Sequence, residues 1–232
     1  MSDFVILTDS SADLGADLAQ RLNVQVVPLC FVMDDHTYYN YPDNREMDPR
    51  TFYNRLRQGD LATTNAVNVA QYTEALEPLL QEGRDVLILA FSSGLSNTYN
   101  SSRLAVEELS VKYPDRKLYT VDTLCASLGQ GLLVWYAARE RDRGHSIDEV
   151  RDWVEERKLN LCHQFTVDDL HFLKRGGRIS AATAMVGSML HIKPVLHVND
   201  EGLLVSTGKA RGRQASLKAL VDRMEETAID SG

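Results

Sequence analysis

The sequence has few of the residues that stabilise disulfide-rich or metal-binding proteins. It contains three cysteines in 232 residues. Cys30, Cys125 and Cys162 are widely spaced among apolar neighbours, so we expect reduced thiols and neither a disulfide framework nor a metal site. The start of the chain lacks the basic and long apolar regions of a signal peptide, and no later run reaches membrane-spanning length. We therefore expect a cytoplasmic protein without stable membrane insertion.

Runs of Lys and Arg are also absent, and the formal net charge is −8. Binding to a phosphate backbone needs a basic surface, so nucleic acid is not expected as a partner. The Gly-rich signatures of nucleotide-binding loops are missing as well. Asp34, Asp35 and His36 are consecutive and cannot all face one ion from regular backbone, which favours a solvated loop over residues 34–44. No cofactor and no metal are predicted.

The sequence does contain short apolar segments that alternate with helical patterns. Strand-like segments lie at residues 4–8, 24–31, 86–91 and 118–121, and a helical pattern occupies residues 12–22. Strand and helix in this rhythm predict a parallel sheet covered by helices on both faces. The first part of the chain, residues 1–158, is therefore predicted to be an α/β domain.

The pattern changes after Trp153, and we place a domain boundary near Leu159. Two strand-like segments flank the turn at residues 199–202 and predict an antiparallel hairpin. Residues 159–232 are therefore predicted to form a smaller α+β domain.

Polar residues follow directly on three of the predicted strands. Ligands of parallel α/β sheets bind at the carboxyl ends of the strands, so these residues are expected to share one edge of the sheet. They are Asp9 and Ser10, Ser92 and Ser93, and Asp122 and Thr123.

The segment after the strand at residues 86–91 is the most informative part of the chain. Ser92, Ser93 and Gly94 open a loop of small hydroxyl residues just before a helical pattern. We expect unpaired N–H groups and hydroxyl donors to converge there on one point, which would bind an anion.

A second hydroxyl-bearing loop is predicted at residues 61–68, before a helical pattern over residues 69–81. It contains Thr63, Thr64 and Asn65, and two donor-rich loops could hold two oxygens of a carboxylate or phosphate. Taken singly, each loop also fits an ordinary helix N-cap, because Ser, Thr and Asn are preferred there.

Two cations frame a glycine pair in the second half. Arg175 and Arg178 flank Gly176 and Gly177. The segment fits a helix C-terminus, where a cation opposes the negative end of the helix dipole. It equally fits a rigid cationic site for a ligand anion or a protein partner.

Five motifs fall in one order along the chain, at residues 8–13, 92–99, 121–123 with 126–131, 168–180 and 190–194. Taken together, they resemble the DegV family of bacterial fatty-acid-binding proteins. The resemblance runs from about Phe4 to Arg213.

The resemblance implies a two-domain carrier that buries one long-chain fatty acid between its domains. In several bacteria such a protein presents the carboxylate to a separate ATP-dependent fatty acid kinase, and it has no catalytic residues of its own. Arg175 and Arg178 look like the family's cations at the entrance, where the kinase or a phosphate would make contact. The residues that match the family's headgroup loops are Thr63, Thr64, Asn65, Ser92, Ser93 and Gly94.

Three departures from the family pattern affect these expectations. The first headgroup loop loses its proline and its last serine, and Asn97 replaces a glycine in the second, where asparagine tolerates a left-handed backbone. The family usually continues into a His- and Gly-rich segment, so we expect the second domain to be incomplete at its C-terminus. The other wall of the lipid pocket would come from this domain, including a helix over residues 179–190.

Two other functions remain open from the residues alone. The hydroxyl loops and Arg175 could bind a small phosphorylated metabolite. A serine hydrolase would need a base for Ser93, for which His191 and His197 are candidates, but Ser93 lacks the Gly-x-Ser-x-Gly setting of a nucleophile elbow.

Overall fold

The fold is taken from a computed structural model that describes residues 4–180 and 192–229. The chain divides into two compact units, Met1–Lys158 and Leu159–Gly232.

The first unit is built on a four-stranded parallel sheet in the order β2-β1-β6-β7. Its strands are β1 (Phe4–Asp9), β2 (Val24–Val27), β6 (Asp85–Ala90) and β7 (Leu118–Asp122). Every residue of β1 is buried, as expected for a strand covered on both faces. The predicted α/β class with a parallel sheet is confirmed.

Helices cover the sheet because successive side chains of a strand point to opposite faces. On one face, Val5, Leu7 and Ile88 pack in one core with residues of α3 and α4, including Tyr72 and Leu109. Helices α5 and α6 contact the same sheet strands. The helices of this unit are α1 (Ala16–Arg21), α2 (Pro49–Gln58), α3 (Val69–Gln81), α4 (Thr98–Lys112), α5 (Ser127–Asp142) and α6 (Ile147–Arg157).

The first unit also contains a small antiparallel sheet in the order β4-β3-β5. It corrects two predictions. The segment predicted as one strand over residues 24–31 is two strands. In the polar segment at residues 34–44, for which the sequence fits an irregular connection or a small hairpin, residues 36–39 form one strand of a hairpin, and most of this strand is exposed. The predicted loop at residues 61–68 contains a strand. The strands are β3 (Cys30–Met33), β4 (His36–Tyr39) and β5 (Ala62–Asn65).

The second unit contains an antiparallel sheet in the order β10-β9-β8 and helices α7 and α8. Strand β9 pairs with β10 across the predicted turn, so the hairpin is confirmed. Leu170, Ile179 and Leu196 form its buried core cluster. The elements are β8 (Gln164–Phe165), α7 (His171–Arg175), β9 (Ile192–Val198), β10 (Leu204–Arg211) and α8 (Arg213–Thr227).

Two predictions fall wholly or mostly on residues that the structure does not describe. The helix predicted over residues 179–190 lies outside the described residues beyond Ser180, and so does His191. Among the described helices, none combines the length and the apolar character needed to span a membrane.

Candidate functional site

The carboxyl ends of β1, β6 and β7 meet at one edge of the parallel sheet. Thr8 pairs with Leu89, and Ala90 pairs with Asp122. The polar residues that follow these strands therefore lie side by side, as predicted, and we call this the polar edge. It comprises Asp9, Ser10, Ser92, Ser93, Asp122 and Thr123.

The backbone N–H groups of residues 91–94 are all engaged by the protein itself. Phe91 donates to Asp9 Oδ2 at 2.8 Å, and Ser92 donates to the Cys125 carbonyl at 3.1 Å. The Ser93 N–H donates to Asp122 Oδ1, and the Gly94 N–H donates to Ser92 Oγ, both at 3.1 Å. The prediction that unpaired N–H groups converge on an anion is therefore wrong for the N–H groups of residues 91–94.

The side chains of Ser92 and Ser93 differ in their exposure and in their hydrogen bonds. Ser92 is fully buried, and its hydroxyl accepts the Gly94 N–H inside the loop. Ser93 is exposed, and its hydroxyl makes no hydrogen bond to any residue that the structure describes. Among residues 91–94, the hydroxyl group that can contact a ligand is therefore that of Ser93, on a backbone held in place by hydrogen bonds to Asp9, Cys125 and Asp122.

Asp9 is the buried anchor of this loop. Its carboxylate accepts hydrogen bonds from the N–H groups of Phe91 and Ser11 and from Gln130 Nε2. Burial raises the pKa of Asp9, while these hydrogen bonds oppose the rise. Asp9 thus joins the ends of β1 and β6 to helix α5.

Cys125 completes the support of the loop through its carbonyl group. Its thiol is buried, and burial raises its pKa to about 12. A thiol in this state is neutral and unreactive near pH 7. Cys30 is half-buried and Cys162 is exposed, so the expectation that cysteines among apolar neighbours are buried holds for Cys125 and fails for Cys162.

Strand β5 separates the three residues that were expected to act together. Thr64 stands opposite Phe31 on β3, and Phe31 packs edge-on against Phe52 of α2, with ring centroids 5.0 Å apart. Thr63 and Asn65 point to the other face, because side chains alternate along a strand. Thr63 and Thr64 therefore point to opposite faces of β5, and we expect one of them rather than both to face a single headgroup.

Strand β3, which pairs with β5, begins close to the polar edge. Asn65 stands opposite Cys30 in the ladder, and its Nδ2 lies 3.6 Å from Cys30 Sγ. The neighbouring residue Leu29 donates its N–H to Ser10 Oγ at 3.0 Å. Thr63, Thr64 and Asn65 are all exposed, and Thr63 lies on the same side of β5 as Asn65.

Arg175 and Arg178 lie at the end of α7 in the second unit. The Arg175 guanidinium stands 5.5 Å from the centre of the Phe172 ring, and Arg178 donates to the Gly176 carbonyl. Gly177 adopts φ 75°, the left-handed conformation of a helix C-terminus. Neither arginine pairs with a carboxylate among residues 4–180 and 192–229, so both keep their charge available.

The described histidines give no support to a hydrolase. His197 Nδ1 lies 2.9 Å from the His163 carbonyl and 3.2 Å from Gln164 Nε2, and no described histidine is bonded to Ser93. Within the described ranges, no group of three or more metal-ligating side chains is placed to hold an ion.

No role was predicted from the sequence for three charged groups at the polar edge: the carboxylates of Asp9 and Asp122 and the ammonium of Lys158. Asp122 Oδ1 accepts the N–H groups of Ser93 and Leu124, both at 3.1 Å. Lys158 Nζ donates to the Asp122 carbonyl at 2.9 Å and pairs with Glu155 at 2.7 Å. The position of Asp9 and Asp122 at strand ends was the available signal, but nothing local showed which N–H groups they accept.

Comparison with known proteins agrees with this architecture. A model of the DegV family matches residues 3–232. A DegV domain-containing protein of Clostridium perfringens is 49% identical over 230 residues, which are 99% of this chain and 79% of that protein.

Solved structures are similar as well. A fatty-acid-binding DegV family protein from Thermus thermophilus superposes with a TM-score of 0.86 at 33% identity, over 98% of this chain and 78% of that one. A protein from Thermotoga maritima whose structure reveals a fatty-acid-binding function gives 0.84 at 30% identity, again over 98% and 78%. The resemblance predicted from the motifs is confirmed: the chain belongs to the DegV family.

Proposed function

We propose that this protein binds a long-chain fatty acid and presents its carboxylate to a separate ATP-dependent kinase, which forms the acyl phosphate. The observation that carries the proposal is the Ser93 hydroxyl, exposed at the polar edge on a loop whose own N–H groups are engaged. The fatty-acid-binding relatives support the same ligand.

In this proposal the headgroup is held by hydroxyl groups. Ser93 and Thr63 each donate to a carboxylate oxygen, and Asn65 lies on the same face of β5 as Thr63. Hydroxyl donors hold a carboxylate without burying a cation that would need its own partner. Ser92 and Gly94 act indirectly, because the hydrogen bond between them shapes the loop.

The acyl chain supplies most of the affinity and the headgroup supplies the orientation. Each buried methylene contributes about 0.8 kcal/mol, so a long chain outweighs one or two hydrogen bonds. Arg175 and Arg178 are proposed to contact the kinase or the transferred phosphate. The carrier itself contributes no catalytic residue.

The direct test is mass spectrometry of the purified protein, first native and then after solvent extraction. We expect a fatty acid at about one per chain, as for a single buried ligand site, and the extract reports its chain length. A phosphorylated metabolite in place of the lipid would replace this proposal with the polar-ligand alternative. A protein that is empty and takes up no added fatty acid would contradict it.

The headgroup assignment predicts different effects for two neighbouring threonines. Ser93→Ala and Thr63→Ala each remove a hydrogen bond to a charged group, which contributes about 1.5–3 kcal/mol, so each variant should bind fatty acid about 10- to 150-fold more weakly. Acyl-phosphate formation with a supplied kinase should fall further, because it also requires orientation.

Thr64→Ala is the matched control, because Thr64 shares its face of β5 with Phe31 and α2. It should keep the affinity of the unmodified protein. Equal losses in the Thr63 and Thr64 variants, measured by displacement of a fluorescent fatty acid, would contradict the assignment by strand face.

A further inference from the structure

The polar edge around Ser93 is surrounded by more negative than positive charge. Asp122 accepts the Ser93 N–H directly. The Lys158 ammonium donates a hydrogen bond to the Asp122 backbone carbonyl and forms an ion pair with Glu155. With both carboxylates ionised, these three side chains carry two negative charges and one positive charge.

Other groups near the edge do not reverse this balance. The Asp9 carboxylate holds the other end of the loop through the Phe91 N–H. At Tyr99, in the first turn of α4, burial and then the carboxylates of Asp122 and Glu155 raise the pKa, against the opposing effect of Lys158 and Arg103. The field of the acids therefore exceeds that of the lysine at this position.

The loop also lacks the donors that a strongly charged group requires. Phosphate sites in α/β proteins use several backbone N–H groups at once. Here the N–H groups of residues 91–94 are engaged with Asp9, Cys125, Asp122 and Ser92. A second negative charge on a headgroup at Ser93 would meet carboxylates without gaining an N–H partner from residues 91–94.

We propose that Asp122 and Glu155 make the polar edge selective for a headgroup with one negative charge over a headgroup with two. This inference rests on the proposed function, because it requires the headgroup to lie at Ser93. The polar edge thereby favours the exchange of a phosphorylated ligand for a fatty acid. It accepts the carboxylate of a fatty acid, whereas a phosphorylated headgroup of higher charge is disfavoured and leaves.

The test compares two ligands with the same sixteen-carbon chain, hexadecanoic acid and hexadecyl phosphate, on the full chain at about pH 8. The phosphate monoester is then a dianion, because its second pKa is about 6. Coulomb energy scales with the charge of the headgroup. If Asp122→Asn improves the affinity for the acid about threefold, it should improve that for the phosphate about tenfold.

Asparagine keeps an oxygen that can accept the N–H groups of Ser93 and Leu124, so the loop should hold its shape. Glu155→Gln removes a charge without touching the loop and should shift the same ratio in the same direction by a smaller factor. Asp115→Asn is the matched control: Asp115 is exposed before the start of β7, at the other end of the strand, and its loss should leave the ratio unchanged.

A second readout separates charge from structure. At about pH 5 hexadecyl phosphate carries one charge, so the benefit of Asp122→Asn for this ligand should fall from about tenfold towards threefold. Equal changes for both ligands at pH 8 in the Asp122 and Glu155 variants would overturn the inference while leaving lipid binding intact. If the unmodified protein binds neither ligand, the proposed function fails, and the inference with it.

Discussion

Gly131→Ala is expected to destabilise the first unit by about 2 kcal/mol, although alanine favours helix. Gly131 lies inside α5, where alanine in place of glycine normally gains about 0.5–1 kcal/mol. A Cβ atom at this position would stand 2.5 Å from the Ala12 carbonyl oxygen and 3.4 Å from Leu14 Cδ2. The oxygen belongs to backbone and cannot rotate away, so the overpacking cost of about 1–3 kcal/mol exceeds the gain in helix propensity.

The consequence extends to the polar edge, because Ala12 ends the short 3₁₀ turn Ser10–Ala12 that follows β1. Displacing this turn moves Ser10, whose hydroxyl accepts the Leu29 N–H. The measurement is the free energy of unfolding in urea. Gly15→Ala is the control, since a Cβ there meets nothing within 4 Å; Gly15 is the N-cap of α1, where alanine is less favourable than glycine, so the expected cost stays below about 1 kcal/mol. Similar losses at both positions would rule out the steric explanation.

The sequence predicted best those elements in which a local signal, such as a helix cap or an apolar run, and the burial pattern favour the same structure. Helix α3 has the predicted bounds, Val69–Gln81, because its apolar stripe begins after Asn68, which forms a capping box with Gln71. The strands β1 and β6 are continuous apolar runs that are buried on both faces. In these elements propensity, period and packing favour the same structure.

The sequence was least informative where distant groups decide the outcome. Thr63 and Thr64 are β-branched residues that favour strands, and pairing with β3 places them on opposite faces. The N–H of Phe91 is engaged by a carboxylate 82 positions away in the chain. A local motif can show that a loop is rich in donors, but only the tertiary contacts show which donors are already engaged.

Asp9→Ala is expected to cost about 3 kcal/mol of unfolding free energy. The carboxylate is fully buried and accepts from Phe91, Ser11 and Gln130. Removing it leaves these donors without their acceptor, and each buried unsatisfied donor costs about 1–3 kcal/mol. The loss of one buried charge offsets part of this cost. Asp9→Asn should cost less, because its amide oxygen can still accept from Phe91 and Gln130.

The same carboxylate should give stability a dependence on pH that opposes ordinary acid denaturation. Burial raises the pKa of Asp9 above 3.8, its ordinary value, so the folded protein holds this proton more tightly than the unfolded chain. The contribution of Asp9 is therefore fully present below pH 3.8 and is lost as the pH rises through its folded-state pKa.

Urea unfolding of the unmodified protein and of Asp9→Asn, from about pH 3 to pH 8, isolates this contribution, because groups other than Asp9 cancel in the difference. The stability advantage of aspartate over asparagine should be largest at the acid end and should shrink as the pH rises. If the advantage grows with pH instead, the hydrogen bonds from Phe91, Ser11 and Gln130 outweigh burial. In that case the folded state favours the ionised form of Asp9, and the Ser93 loop is held by a carboxylate whose ionisation burial does not prevent.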